Sequence, residues 1–254
     1  EGAASLLESG ATHPTLELLF TTGEEHFCVG AKAFDAERLQ SKTAYVMDLS
    51  GPVGDCAVAA PTLITFSAEV VGKAAHAGFA PEDGVHAIQV AAAAVANLPS
   101  GRWGDVTVNV GTISGGRATN IVPDSCTVTG EIRALCHQDA LDRLNEIHSE
   151  FVEQAQAVDA KLNFNHTIHI TGYRVDTDAP VAQRFRRACE AVGVSPRFTD
   201  TYGGSDCNIL SAHGIQGLVV ATAMNNCHAV NEYTTVEELC KAGRLAQALM
   251  EKQD

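Results

Sequence analysis

Basic residues are scarce in this 254-residue chain: 17 lysines and arginines stand against 31 aspartates and glutamates, a formal charge of −14. Affinity for nucleic acid comes from basic side chains meeting phosphates, so no nucleic-acid partner is expected. Long apolar runs are absent too. None reaches the roughly 18 residues that a membrane-spanning helix needs, and no membrane partner is expected. There is no C-x-x-C pair. The eight cysteines, Cys28, Cys56, Cys126, Cys136, Cys189, Cys207, Cys227 and Cys240, are scattered along the chain. They read as reduced thiols of a cytoplasmic protein rather than as a disulfide framework. The sequence holds no internal repeat, no low-complexity linker and no compact zinc signature such as HExxH. It starts on Glu1, with neither a methionine nor a basic-then-apolar leader, and runs directly into the helix-like EGAASLLESG, as though it began inside an element. What is present is 45% hydrophobic and 19% charged, enough apolar material for one large core or two modest ones.

Two rhythms alternate along the chain. LELLF at 16–20 reads as a short buried strand, Gly23 as a sharp turn, FCVGAKAF as a helix and TAYVMDLS as a second strand, a βαβ unit of a parallel sheet. From residue 63 the pattern changes. TLITFSAEVVG alternates as a strand, and VHAIQVAAAAVANL reads as a helix. DVTVNVGTIS and CTVTGEIRAL follow as two strands, then a helix over 139–157, and KLNFNHTIHITGY as a last strand. That order, βαββαβ, is the ferredoxin-like split unit. The α/β character then returns, with helix PVAQRFRRACEAVG, strand QGLVVATA and helix TVEELCKAGRLAQALMEK. The expected organisation is an α/β domain made of residues 1–62 and 173–254, with an inserted α+β domain at 63–172.

Glu24 and Glu25 follow the first apolar run, where open α/β sheets place their ligands; read blandly, they complement a helix dipole. Asp48 also follows a strand in what should be the same sheet, and His228 follows GLVVATA and a short loop. Carboxylates crowded in one cleft repel unless protonated or neutralised by a cation, and carboxylate with imidazole is the ligand chemistry of catalytic zinc. His228 reads equally as an ordinary polar residue after a strand.

Several motifs together give the chain a family likeness. In order these are LLFTTGEE, AYVMDLSGPVG, GKAAHAGFAPEDGVHAI, GGRATNIVPD, GEIRAL, GGSDCNIL and CHAVNEYTTVEEL. The sequence resembles the M20 family of di-zinc peptidases and deacylases, most closely its tripeptidase-T-like branch, over essentially its whole length. The resemblance implies a zinc-peptidase-type catalytic domain carrying a lid and dimerisation domain. It implies two divalent metal ions, Zn2+ in the first place, and a homodimer formed through the lid. Activity would be metal-dependent, aminopeptidase-type hydrolysis of short peptides such as tripeptides. Deacylation of N-acyl amino acids by the same machinery is the alternative, and a non-catalytic peptide-binding remnant is a third reading.

Roles follow residue by residue from the likeness. Glu24 is the general base acting on a metal-bridging water. Glu25 and His228 ligate one metal and Asp48 the other. His76 reaches into the partner subunit's site to stabilise the oxyanion. Asn120 and Arg133 hold the substrate carboxylate, for which a guanidinium fork is suited, and Gly204 offers backbone contacts. Bland readings stand beside these: Arg133 as a strand-surface ion pair, Asn120 as a turn former, His76 as a loop cap, Gly203 and Gly204 as a turn, and Asp206 as a helix cap. His86 is expected on the lid helix, and His166 and His169 on the last lid strand, all without catalytic roles. His26 and Cys28 depart from the family pattern and are candidates for adventitious metal ligands. Family members also carry an upstream His-x-Asp motif and a metal-bridging aspartate that this sequence does not contain. An N-terminal segment is therefore expected to be missing. Catalytic zinc normally takes three protein ligands, so the chain alone is expected to bind metal poorly and to be inactive.

Overall fold

The computed structural model describes residues 1–252. In chain order the elements are α1 (Gly2–Ser9), α2 (Val29–Ala33), β1 (Thr43–Ser50), β2 (Asp55–Ala60), β3 (Thr62–Val71), α3 (Ala87–Asn97), β4 (Gly101–Trp103), β5 (Val106–Gly115), β6 (Ser125–Ala134), α4 (His137–Gln156), β7 (Lys161–Ile170), β8 (Tyr173–Arg174), α5 (Pro180–Ala191), β9 (Arg197–Asp200), α6 (Asp206–Ala212), β10 (Gln216–Met224) and α7 (Val236–Met250). The chain divides into two compact units, one built from 1–60 and 173–254, the other from 61–172.

The discontinuous unit is a mixed sheet with helices. Its strand order is β1-β10-β2-β8, with β9 also on β2. β1 runs parallel to β10 and β9 parallel to β2, whereas β10 and β8 meet β2 antiparallel. All six residues of β2 are buried, so its DCAVAA shows no alternation. α5 carries a buried stripe of Val181, Ala182, Phe185, Ala188 and Cys189, at the 3–4 spacing of an amphipathic helix. That stripe joins Leu218, Val219, Val220 and Leu245 in one core. α6 comes so close to β10 that a Cβ on Gly217 would fall 2.3 Å from Cys207 Sγ. Glycine is needed there.

LELLF is not a strand. Residues 11–21 carry no regular structure, Phe20 is 89% exposed, and among the described residues β1 pairs with β10 alone. Instead of a ladder, the Glu17 carboxylate accepts the backbone N–H groups of Gln40 and Ser41. The run borders a cavity of about 880 Å³ whose other walls include residues 43–48 of β1. A strand exists only as a hydrogen-bonded pair, and without a ladder partner an apolar run stays irregular. The expected βαβ unit at 16–50 therefore reduces to a short helix and one strand.

The continuous unit is the ferredoxin-like arrangement. Its sheet has the order β4-β5-β6-β3-β7, antiparallel throughout. The four long strands stand in the order β5-β6-β3-β7, and α3 and α4 supply the helical connections. α4 buries Ala140, Leu144, Ile147, Phe151 and Ala155, again one stripe, against Ile64, Phe66, Val70, Val128 and Ile132 of the sheet. Thr65, Ser67, Thr129, Glu131, Asn165 and Thr167 line a shallow cavity of about 410 Å³ on this unit. A sheet apolar on one face and polar on the other is usual for antiparallel strands. His86 sits just ahead of α3 as its N-cap, its Nδ1 accepting from Gln89 N–H at 3.3 Å, so it is not on the helix as expected. His166 and His169 lie on β7.

Candidate active site

The carboxylates at 24 and 25 belong to a tight turn rather than to a strand end. Gly23 has φ of +67°, Glu24–His26 form one 3₁₀ turn, and Phe27 and Cys28 both have φ of +58°. Two successive non-glycine residues in the left-handed region cost on the order of 1–3 kcal/mol each, and such strain persists only where the surroundings impose it. Here they do. Cys28 is buried at 2% exposure, its N–H donates to Glu24 O at 2.8 Å, and Gly30 N–H donates to Thr22 O at 2.9 Å. A Cβ on Gly30 would lie 2.3 Å from Thr22 O and 2.5 Å from Thr22 N, backbone atoms that cannot give way. Gly30→Ala is therefore expected to lose about 1–3 kcal/mol in urea unfolding and to displace the turn. A loss under about 0.5 kcal/mol would show that the close approach matters little.

His228 arrives from a second strained loop. Asn226 and His228 have φ of +55° and +64°, the loop is closed by a bridge between Asn225 and Tyr233, and His228 N–H donates to Glu232 Oε2 at 3.1 Å. Its Nδ1 stands 3.6 Å from Glu25 Oε1. Asp48 lies in β1 where the register with β10 slips between Val46 and Leu49, an irregularity of the kind that re-aims a side chain. The two remaining carboxylates feel this neighbourhood. Partial burial, and then the negative charges of Asp48, Glu25 and Asp206, push the Glu24 carboxyl above its ordinary range. Burial, then Asp206 and Glu25, raise Asp48 as well, while His228 opposes that rise. The structure thus brings Glu24, Glu25, Asp48 and His228 into one electrostatic neighbourhood on the discontinuous unit.

A divalent cation fits the chemistry of this set, since it would neutralise crowded carboxylates and accept an imidazole nitrogen. The donors are few, however: among the described residues no three histidine, cysteine, aspartate or glutamate side chains are arranged to hold a metal ion. Cys28 is buried, its Sγ lies 3.8 Å from Glu24 Oε1, and burial pushes its thiol up to about 12. His26 is exposed on the turn.

The bland reading of Asp206 as the cap of α6 does not hold. Ser205 is the N-cap, in a reciprocal capping box with Asn208. Asp206 is instead 9% exposed, and one carboxylate oxygen accepts the Thr21 hydroxyl. S-x-x-N at 205–208 was the sequence signal that could have released Asp206 from the capping role. Gly204 lies in the loop immediately before this box, where Gly203 N–H donates to Thr201 Oγ1 at 3.1 Å.

The other three site residues belong to the continuous unit. His76 is exposed; its Nδ1 accepts from Gly78 N–H at 3.1 Å and its ring stacks on Phe79 at 4.2 Å. Asn120 is exposed and its carbonyl accepts from Ala77 N–H at 3.0 Å, so the segments bearing His76 and Asn120 are hydrogen-bonded neighbours. Arg133, on β6, is paired with Glu131, its Nε donating to Oε1 at 2.9 Å.

Residues 58–159 match the M20-type peptidase dimerisation domain. The uncharacterized protein YqjE of Bacillus subtilis is 32% identical over 253 residues, 99% of this chain and 68% of that protein. The crystal structure of aminopeptidase PepT from Bacillus cereus superposes with a TM-score of 0.94 at 36% identity, covering 98% of this chain and 67% of that one. The chain belongs to the M20 peptidase family. Within the M20 peptidases, a tripeptidase structure from Staphylococcus aureus gives a TM-score of 0.95 at 27% identity, with coverages of 98% and 67%. Bacillus subtilis YXEP, described as a dinuclear metal binding peptidase of the M20 family, shares the fold at a TM-score of 0.72 and 18% identity. Against a relative named peptidase T, from Alkaliphilus oremlandii, the chain spans 59% of the relative's length.

Proposed function

We propose that the protein is a metal-dependent exopeptidase that hydrolyses short peptides, tripeptides among them, from a free amino end. The observation that carries this reading is the convergence of Glu24, Glu25, Asp48 and His228 from three separate segments of one unit, two of them strained loops. Glu25 and His228 would hold one divalent ion, in the first place zinc, and Asp48 a second. Such ions polarise a carbonyl and make water a better nucleophile near neutrality. Glu24, free of the Glu25–His228 pair, takes the proton from the attacking water. As the C–N bond breaks, it returns that proton to the leaving amine nitrogen.

The same reading gives the continuous unit the remaining work. His76 donates to the developing oxyanion in the partner subunit's site, and Asn120 and Arg133 receive the substrate's carboxylate, with Gly204 contributing backbone contacts. Arg133 must give up Glu131 to do so, which makes Glu131 a competitor for the guanidinium. The match to a peptidase dimerisation domain supports a homodimer formed through this unit. The same reading makes this a cytoplasmic protein without nucleic-acid or membrane partners, and the acidic balance supports the first of those exclusions.

Two donors for one ion and one for the other make a weak site, so the 254-residue chain by itself is inactive on this reading. The activity belongs to a protein that completes the ligand set. The test is tripeptide hydrolysis with and without zinc, by this chain and by a protein of the relatives' length. The expected result is cleavage by the longer, zinc-loaded protein alone. Cleavage of N-acyl amino acids but not tripeptides would favour the deacylase reading, and no metal and no turnover in either form would leave a peptide-binding dimer. In the longer protein, His228→Ala is expected to weaken zinc binding at least about tenfold by competition with a chelator, as loss of one ligand bond requires. Unchanged affinity would remove His228 from the ligand set.

A further inference from the structure

Asp206 has no use in the mechanism as described, and its surroundings are peculiar. It is 9% exposed, its Oδ1 is buried without a hydrogen-bond partner, and its Oδ2 accepts the Thr21 hydroxyl. Leaving one oxygen of a buried carboxylate unsatisfied is expensive, and an apolar side chain would fill the same space at lower cost. Helix capping does not account for it, because Ser205 and Asn208 satisfy the start of α6 between them. What Asp206 does reach is Thr21, which opens the turn carrying Glu24 and Glu25. That turn is held on one side by Gly30 N–H on Thr22 O. Thr21 on Asp206 is a second, independent anchor, and it ties the turn to α6.

We propose that Asp206 is the positioning residue of the Glu24–Glu25 turn: through the Thr21 hydroxyl it fixes the strained 21–28 backbone, and so the direction of both carboxylates. This rests on the reading of Glu24 as base and Glu25 as ligand. The physical need is evident from the backbone. Gly23, Phe27 and Cys28 all occupy the left-handed region, a conformation that relaxes unless both ends are held. The coupling also links the general base to the 201–205 loop, since Asp206 directly follows the Ser205 cap.

The experiment uses the variants Asp206→Ala, Asp206→Asn, Thr21→Val and the Thr21→Val/Asp206→Ala double, read by amide hydrogen exchange in the 254-residue chain and by cobalt(II) titration in a protein of the relatives' length. Thr21→Val and Asp206→Ala are each expected to speed exchange in residues 22–28 about tenfold, the equivalent of one hydrogen bond to a charged group, with the continuous unit unchanged. The double variant should be no faster than either single one, because both remove the same link. Asp206→Asn keeps an acceptor for the Thr21 hydroxyl and should behave as the parent chain. Cobalt affinity should fall about tenfold in the two disrupting variants, with loss of the visible absorption of the bound ion, and recover in Asp206→Asn. Exchange that rises evenly across the discontinuous unit, additive effects in the double variant, or Asp206→Asn behaving as Asp206→Ala would each overturn the proposal. Should the longer parent protein bind no cobalt, the ligand reading of Glu25 fails while the exchange data still decide the role of Asp206.

Discussion

Glu24→Gln is expected to lower kcat for tripeptide hydrolysis by about 10²–10⁴ in the complete, metal-loaded protein, the usual contribution of a positioned general base. Metal content should be unaffected, because the Glu25–His228 pair is a separate contact and Glu24 Oε1 instead faces Cys28 Sγ at 3.8 Å. Glutamine keeps the shape of the side chain and loses the ability to take a proton. The diagnostic combination is therefore unchanged zinc stoichiometry with collapsed turnover and a KM near that of the parent. If zinc were lost together with activity, Glu24 would be a ligand. If turnover fell less than tenfold, the proton transfer would belong to another group. Glu25→Gln is the matched control, since it should lose metal first and activity as a consequence.

Phe151→Ala carries the largest expected cost in stability, about 3–5 kcal/mol, as for other phenylalanines removed from a packed core. Phe151 is fully buried on the apolar stripe of α4, with the Phe164 ring 6.4 Å away. It sits among Ile64, Phe66, Val128 and Ile147 of the same cluster. Its neighbours are themselves held in the same packed cluster, so relaxation would fill the cavity poorly. Urea unfolding followed by a probe in the continuous unit should show a lowered midpoint with the slope retained. A shift worth less than about 1 kcal/mol would mean that α4 slides to close the gap. This prediction concerns the scaffold alone and stands whatever the chemistry of the protein proves to be.

Much of the scaffold was legible because its elements are amphipathic. Leu144, Ile147 and Phe151 recur at helical spacing and β3 alternates over its last eight residues, so the βαββαβ order could be read directly. β2 escaped notice for the opposite reason: buried on both faces, DCAVAA has no alternation to detect. LELLF misled because its composition is that of a buried strand, and composition does not supply a neighbour. The Glu-Glu turn was located correctly along the chain but credited to a strand end, while its geometry comes from left-handed residues at 27 and 28. Neither Phe nor Cys signals such a backbone. Capping was a bland reading of Asp206, but Ser205 makes the cap, and both residue types favour that position.

By itself, the sequence determined the family likeness, the acidic character, the ferredoxin-like module and the residues capable of the chemistry. These depend on residue identity and on spacing within ten or twenty positions, where helix and strand periodicity act. Only the tertiary structure decided which of those residues meet. The pair at 24 and 25 is far in sequence from residues 48, 206 and 228, and their mutual effects arise because the turn, β1, α6 and the 225–233 loop converge. It also decided that Arg133 is engaged by Glu131, and that an apolar run lies irregular beside β1. Pairing, burial and charge crowding are properties of two or more segments together, and periodicity within one segment does not contain them.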